Sequence, residues 1–151
     1  MLAENADEPY AAEISRAVIS ARRKGTAIDT TTKLRRLIEE ALSFLPEGER
    51  KEAVKKSCQR TFQALRIDVN SEFEVLEEFL KKLPDILSPG GRAAILTFPS
   101  GEDRLAKKSF KRLKKQGVYS EIADEVIRPT AEECNMNSRA RSTKMRWAVK
   151  A

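Results

Sequence analysis

Leu87-Ser88-Pro89-Gly90-Gly91-Arg92-Ala93-Ala94-Ile95-Leu96-Thr97-Phe98-Pro99-Ser100-Gly101-Glu102-Asp103 changes backbone state three times. Ser88-Pro89-Gly90-Gly91 reads as a turn. Ala93 to Phe98 is short and nearly all apolar, the pattern of a strand buried on both faces. Pro99-Ser100-Gly101 breaks the run. Glu102-Asp103 then put acidic groups at the positive end of a basic helix that reaches about Gln116 and stops at Gly117. Turn, buried strand and helix in succession predict an α/β fold.

Toward the N-terminus, Phe62, Leu65, Val69, Phe73, Leu76, Leu80 and Leu83 form a helical stripe, so one long helix is expected over Gln59–Leu83, closed by Pro84. A less regular helix precedes it. Two more helices are expected in front. One starts at Asp7-Glu8-Pro9, runs through Ile14, Val18 and Ala21, and stops at Gly25. The other is capped by Thr30 to Thr32, carries Leu34, Leu37, Ile38, Ala41, Leu42 and Leu45, and ends at Pro46 and Gly48. Toward the C-terminus a strand is expected at Glu125–Arg128, then a turn begun by Thr130 with Glu133 completing a capping box. A last strand spans Thr143–Val149. Met145, Trp147 and Val149 share one of its faces, for which core packing is the first reading; Lys144, Arg146 and Lys150 share the other. Phe62, Phe73 and Phe79 are also expected in the core.

The 151 residues suffice for one domain with a modest core, at 40% apolar and 34% charged. No run approaches a membrane span, and Met1 to Pro9 is acidic, unlike a secretory signal or an Arg-rich transit peptide. Cys58 and Cys134 stand at no metal-ligand spacing and read as free thiols. The chain has no histidine, which excludes a Ser-His-Asp triad and argues against a zinc site. Net charge is +6, which suits a polyanionic partner as well as a solvated Lys/Arg surface.

Two clusters carry the cationic signal. Lys107, Lys108, Lys111, Arg112, Lys114 and Lys115 crowd one helix, either as a solvated face or as a ridge for phosphates. In Asn137-Ser138-Arg139-Ala140-Arg141-Ser142-Thr143-Lys144 cations alternate with small hydroxyl residues, as in a loop that approaches a nucleic-acid backbone or in a solvated one. Glu102 and Asp103 could exchange protons, but their position fits a helix start better. Gly90-Gly91 fits a turn rather than a cofactor cradle, and no dinucleotide or P-loop fingerprint occurs.

Arg60-Thr61-Phe62-Gln63-Ala64-Leu65-Arg66-Ile67, continuing through Val69-Asn70 and Glu72, resembles a signature of the MraW-type methyltransferases of small-subunit ribosomal RNA. Three further blocks follow in that family's order: Leu87 to Arg92, Thr97 to Arg104, and Asn137 to Arg146. Ile14 to Leu45 is similar to the end of the family's helical insert. Where the family carries a histidine and a leucine in the second block, this chain has Pro99 and Gly101.

The resemblance implies a Rossmann-like class I methyltransferase fold. It implies methylation, from S-adenosylmethionine, of the exocyclic amine of one cytidine in the decoding region. On this basis residues 1–9 are an acidic tail, 10–58 a helical region like the family's insert, and 59–151 the C-terminal part of the methyltransferase domain. The family's glycine-rich donor loop and ribose-binding acid precede the stretch matched here. The expectation is therefore a truncated cytosine-N4 methyltransferase that neither binds the donor nor methylates alone; a degenerate paralogue serving as an RNA- or ribosome-binding module is the second reading. No catalytic, cofactor-binding or metal residues are expected. Arg60, Arg66, Arg139, Arg141, Ser142 and Lys144 are the candidate RNA contacts, and Ser100, Glu102 and Asp103 are remnants of a family motif. The implied partners are ribosomal RNA or the small subunit, and an N-terminal half or a second copy at an exposed strand edge; no membrane is implied. The implied compartment is the cytoplasm, or an organelle if an address precedes the chain. The last three family strands are expected as one sheet: Ala93–Phe98, then Thr143–Val149 in the middle, then Glu125–Arg128.

Overall fold

The computed structural model describes residues 1–151. Its elements, in order, are α1 (Leu2–Ala6), α2 (Ala11–Arg23), α3 (Thr31–Ala41), α4 (Glu47–Val69), α5 (Glu72–Ile86), β1 (Arg92–Thr97), α6 (Ser100–Lys115), β2 (Tyr119–Ile122), α7 (Ala131–Met136), a 3-10 turn (Ser138–Ser142) and β3 (Lys144–Lys150). The chain divides into two units, Met1–Asn70 and Ser71–Ala151.

The first unit is helical. Ile14, Ile38, Leu42 and Val54, from α2, α3 and α4 and the turn after α3, form its buried centre. Thr30 caps α3 by accepting from the Lys33 amide. Between α3 and α4 the Arg50 guanidinium donates to the carbonyls of Ser43 and Leu45, acceptors in the turn that follows α3. Pro46 and Gly48 do not terminate a helix here. Pro46 is the N-cap of α4, and Gly48 lies in its first turn, where a backbone amide has no partner inside the helix in any case. At the other end Glu8 is buried at 3% exposure; its Oε1 accepts from Ser57 Oγ at 2.8 Å and from the Tyr10 amide at 3.0 Å.

The expected single helix over Gln59–Leu83 is two helices. Ser71 adopts a left-handed conformation (φ 50°) between α4 and α5, a break made without glycine or proline. The stripe read across both helices is broken accordingly, with Val69 80% exposed; Phe79, also expected in the core, is 46% exposed, so neither is core. Pro84 sits inside α5, which continues to Ile86.

In the second unit the sheet order is β1-β3-β2, with both outer strands antiparallel to β3. The central place of the last strand is as expected. The third strand is not: it is Tyr119–Ile122, and Glu125–Arg128 contributes only an isolated bridge, Ile127 to Met145. Gly117 takes a positive φ at the end of α6 and leads straight into β2, too short a run for alternation to stand out. Leu80 and Leu83 of α5, Phe110 and Leu113 of α6, Tyr119 of β2 and Ala148 of β3 form the core. Phe110 and Tyr119 meet edge to face, ring centres 5.5 Å apart.

The helices cover one face of this sheet only. On β3 the buried residues are Arg146 and Ala148, so the core side is the face that includes the arginine, and Met145, Trp147 and Val149 lie half-buried on the opposite face. That reverses the reading from alternation. Beside them on β1 stand Ala94 and Leu96, the latter 60% exposed. The outer edge of β1 pairs with no strand. No helix is long and apolar enough to cross a membrane.

Candidate nucleic-acid interface

Two stretches distant in sequence meet at one end of the second unit. Arg146, on the core face of β3, holds Asp103, in the first turn of α6, with a two-pronged contact: Nε to Oδ1 at 2.7 Å and Nη2 to Oδ2 at 3.1 Å. The two side chains are 8% and 14% exposed, so solvent screens this pair weakly. Two carboxylate oxygens matched by a guanidinium fork explain how a charged residue occupies the buried side of the sheet. Lys144 Nζ donates to the Phe98 carbonyl at 3.0 Å. The Phe98 amide donates to Glu102 Oε2 at 3.4 Å. The carboxylates of the motif Ser100-Gly101-Glu102-Asp103 are therefore engaged in holding the start of α6, and neither is poised as a free base. Ser100 is exposed at the first position of α6.

Gly101 is buried against Phe73 of α5. A Cβ at position 101 would stand 2.4 Å from Phe73 Cζ, so the aromatic ring fills the space a side chain would take.

The Asn137–Lys144 stretch is a shaped turn. Thr130 and Glu133 form the expected capping box, with the Glu133 amide 3.1 Å from Thr130 Oγ1 and the Thr130 amide 2.8 Å from Glu133 Oε2. Asn137 Oδ1 accepts from the Arg139 amide and starts the 3-10 turn. With the backbone folded on itself, the side chains of Arg139, Arg141 and Ser142 face solvent, and neither arginine makes an ion pair. Lys144 is half-buried and tied to Phe98, which makes it an anchor of the turn more than a free contact.

Beside this turn lies a groove of about 440 Å³. Leu96, Phe98, Ile127 and Met145 form its floor, on the sheet face the helices leave bare, and Arg128 and Arg139 stand at its rim. Arg128 was not singled out from the sequence; its place there depends on the bridge of Ile127 to Met145. Arg60 and Arg66 lie in the other unit, on α4, Arg60 half-buried and Arg66 exposed. Six residues apart on a helix, they point to different sides of it.

The charged rim of the groove is mainly cationic, and its one carboxylate, Glu133, is engaged in capping α7. The Gly90 and Gly91 amides donate to the carbonyls of Lys150 at 2.9 Å and Ser88 at 2.8 Å, closing the turn into β1. An apolar floor with an arginine rim suits a nucleotide, the ring against the floor and the phosphate against the guanidinium groups.

Comparison with known proteins finds several similar chains. Ribosomal RNA small subunit methyltransferase H 1 of Lachnoclostridium phytofermentans is 68% identical over 151 residues, which are all of this chain and 41% of that protein. The protein of the same name from Agathobacter rectalis is 64% identical over the same length, 43% of its own. Ribosomal RNA small subunit methyltransferase H 2 of Alkaliphilus metalliredigens is also 64% identical, again over 43% of its length. The chain thus spans about two fifths of the length of these relatives. A profile of the MraW methylase family matches residues 1–151, and the chain belongs to that family.

Proposed function

We propose that these residues are the RNA-holding, C-terminal part of a small-subunit rRNA cytosine-N4 methyltransferase, unable by themselves to bind S-adenosylmethionine or to transfer a methyl group. The observation that carries this reading is the exposed, unpaired Arg139–Arg141 turn beside an arginine-rimmed apolar groove, in a chain whose relatives are rRNA methyltransferases more than twice its length. In this reading β1, β3 and β2 are the margin of a larger Rossmann-like sheet, and the donor-binding part pairs along the bare edge of β1. The support for such an edge is that β1 pairs with β3 alone and carries an apolar run from Ala93 to Leu96, since unpaired apolar strand edges invite further pairing. Methyl transfer requires the donor carbon held in line with the attacking amine, and positioning supplies much of the rate. In this reading the donor cradle lies in the part of the relatives that this chain does not span.

Two measurements test the proposal. Calorimetric titration of the 151-residue protein with S-adenosylmethionine is expected to show no micromolar binding; a clear micromolar isotherm overturns the donor-less reading. Labelled fragments of small-subunit rRNA are expected to bind with strong salt dependence, and charge reversal at Arg139 and Arg141 is expected to weaken that binding at least tenfold. Affinity indifferent to both salt and these arginines overturns the RNA reading.

A further inference from the structure

We propose that the outward face of α6 is a second RNA surface, a straight cationic ridge that grips phosphodiester backbone independently of the Arg139–Arg141 turn. The inference rests on the RNA reading above. Gly101, Ala106, Ser109, Phe110 and Leu113 are the buried residues of α6. On a helix of 3.6 residues per turn, Lys108, Lys111 and Lys115 then project directly away from the core, with Lys107 and Lys114 on one flank and Arg112 on the other. All six are exposed, and the outward face from Lys107 to Lys115 carries no acidic residue. Lys108 to Lys115 covers about 10 Å of helix axis, enough to follow a few consecutive phosphates. No ion pair within the unit engages any of the six. On the side of α5, Arg112 lies near Lys81, which is paired with Glu78 at 2.7 Å and also feels Glu77, so acidic charge on that flank is directed at Lys81.

The chemistry of the ridge favours RNA over other anionic partners. A membrane-surface helix needs an apolar face free to enter lipid, and the apolar face of α6 is the core of the unit. Protein interfaces are depleted in lysine and anchored by aromatic or aliphatic side chains, and α6 exposes no large hydrophobic residue. Lysines on flexible stems, evenly spaced along a rigid rod, match a repeating point charge that needs no directional recognition.

The test is the salt dependence of binding, by fluorescence anisotropy, to a labelled small-subunit rRNA fragment and to an unrelated RNA of equal length. The proteins are the unaltered chain, K108E/K111E/K115E, the neutral variant K108Q/K111Q/K115Q, and R139E/R141E. Far-UV circular dichroism and the urea midpoint confirm that each variant is folded. Removing three phosphate contacts is expected to lower the slope of log K against log salt by about 2 in either lysine variant. It should also reduce affinity about tenfold or more for both RNAs alike. An unchanged slope and affinity in both lysine variants overturns the ridge, whatever the arginine variant does. A reduced slope in the lysine variants with unaltered binding by R139E/R141E supports the ridge and sinks the turn, so the two readings fail separately.

Discussion

Replacing Arg146 by methionine is expected to cost the second unit about 3 kcal/mol. The Asp103–Arg146 pair is two-pronged, mostly buried, and joins the first turn of α6 to the central strand. Breaking a buried pair by removing one partner costs about 3–5 kcal/mol, because the remaining charge stays desolvated. In R146M that charge is Asp103, which keeps the favourable end of the α6 dipole, worth about 0.3–1 kcal/mol; the lower end of the range therefore applies. D103N strands a guanidinium against the core face beside Ala148 and should cost about as much. D103N/R146M removes both charges and should lose clearly less than the sum, giving a coupling of about 2 kcal/mol or more. A unit of about 80 residues has a total stability of only about 4–12 kcal/mol, so each single variant removes a large share. The assay is urea unfolding followed by tryptophan fluorescence: Trp147 is the only tryptophan, sits on β3 next to Arg146, and reports on this unit alone. With a slope of about 1–2 kcal/mol per molar urea, the midpoint should fall by about 1.5–3 M. Single-variant losses within about 0.5 kcal/mol, the worth of an exposed pair, would refute the argument.

The Tyr119 hydroxyl is buried without a hydrogen-bond partner, and burial pushes its phenol above the usual range. Its neutral form is the one the fold favours, so this contribution is complete below about pH 10, the ordinary tyrosine value, and lost as pH climbs beyond it. Y119F should stabilise by about 1 kcal/mol at neutral pH and flatten the alkaline loss, seen as urea midpoints at pH 8 and pH 10.5; a lower midpoint at pH 8 would contradict the unpartnered hydroxyl. G101L should cost about 1–3 kcal/mol by overpacking against Phe73, and should cost markedly less in a chain already carrying F73A. In the helical unit, S57A leaves the buried Glu8 carboxylate one donor poorer and should lower stability by about 1–3 kcal/mol in thermal melts followed at 222 nm.

Features set by neighbours in sequence were legible before the structure. β1 lay between a Gly-Gly turn and a proline, α6 between acidic residues and a glycine, and the Thr130–Glu133 box announced the start of α7. Features set by distant residues were not, except the central place of β3, which the family resemblance implied. Arg146 counts as polar in any alternation pattern, and only Asp103, far back along the chain, makes it a core residue. The face assigned to Trp147 was inverted for that reason. The break at Ser71 carries no turn residue, and β2 is too short for periodicity to mark. Of the candidate contacts, Arg139, Arg141 and Ser142 are exposed as an RNA contact requires, whereas Lys144 is engaged in holding the site together, as are Glu102 and Asp103 of the family-motif remnant.

The ring of Phe73 lodged against Gly101 ties the histories of two positions together. A descendant that acquired a bulky residue at 101 would be handicapped until 73 had shrunk, and one that shrank 73 first would carry a void until 101 had grown. Each step alone runs uphill, so the pair acts as a ratchet. Among descendants of such a chain, a small residue at one of these two sites should travel with a large one at the other.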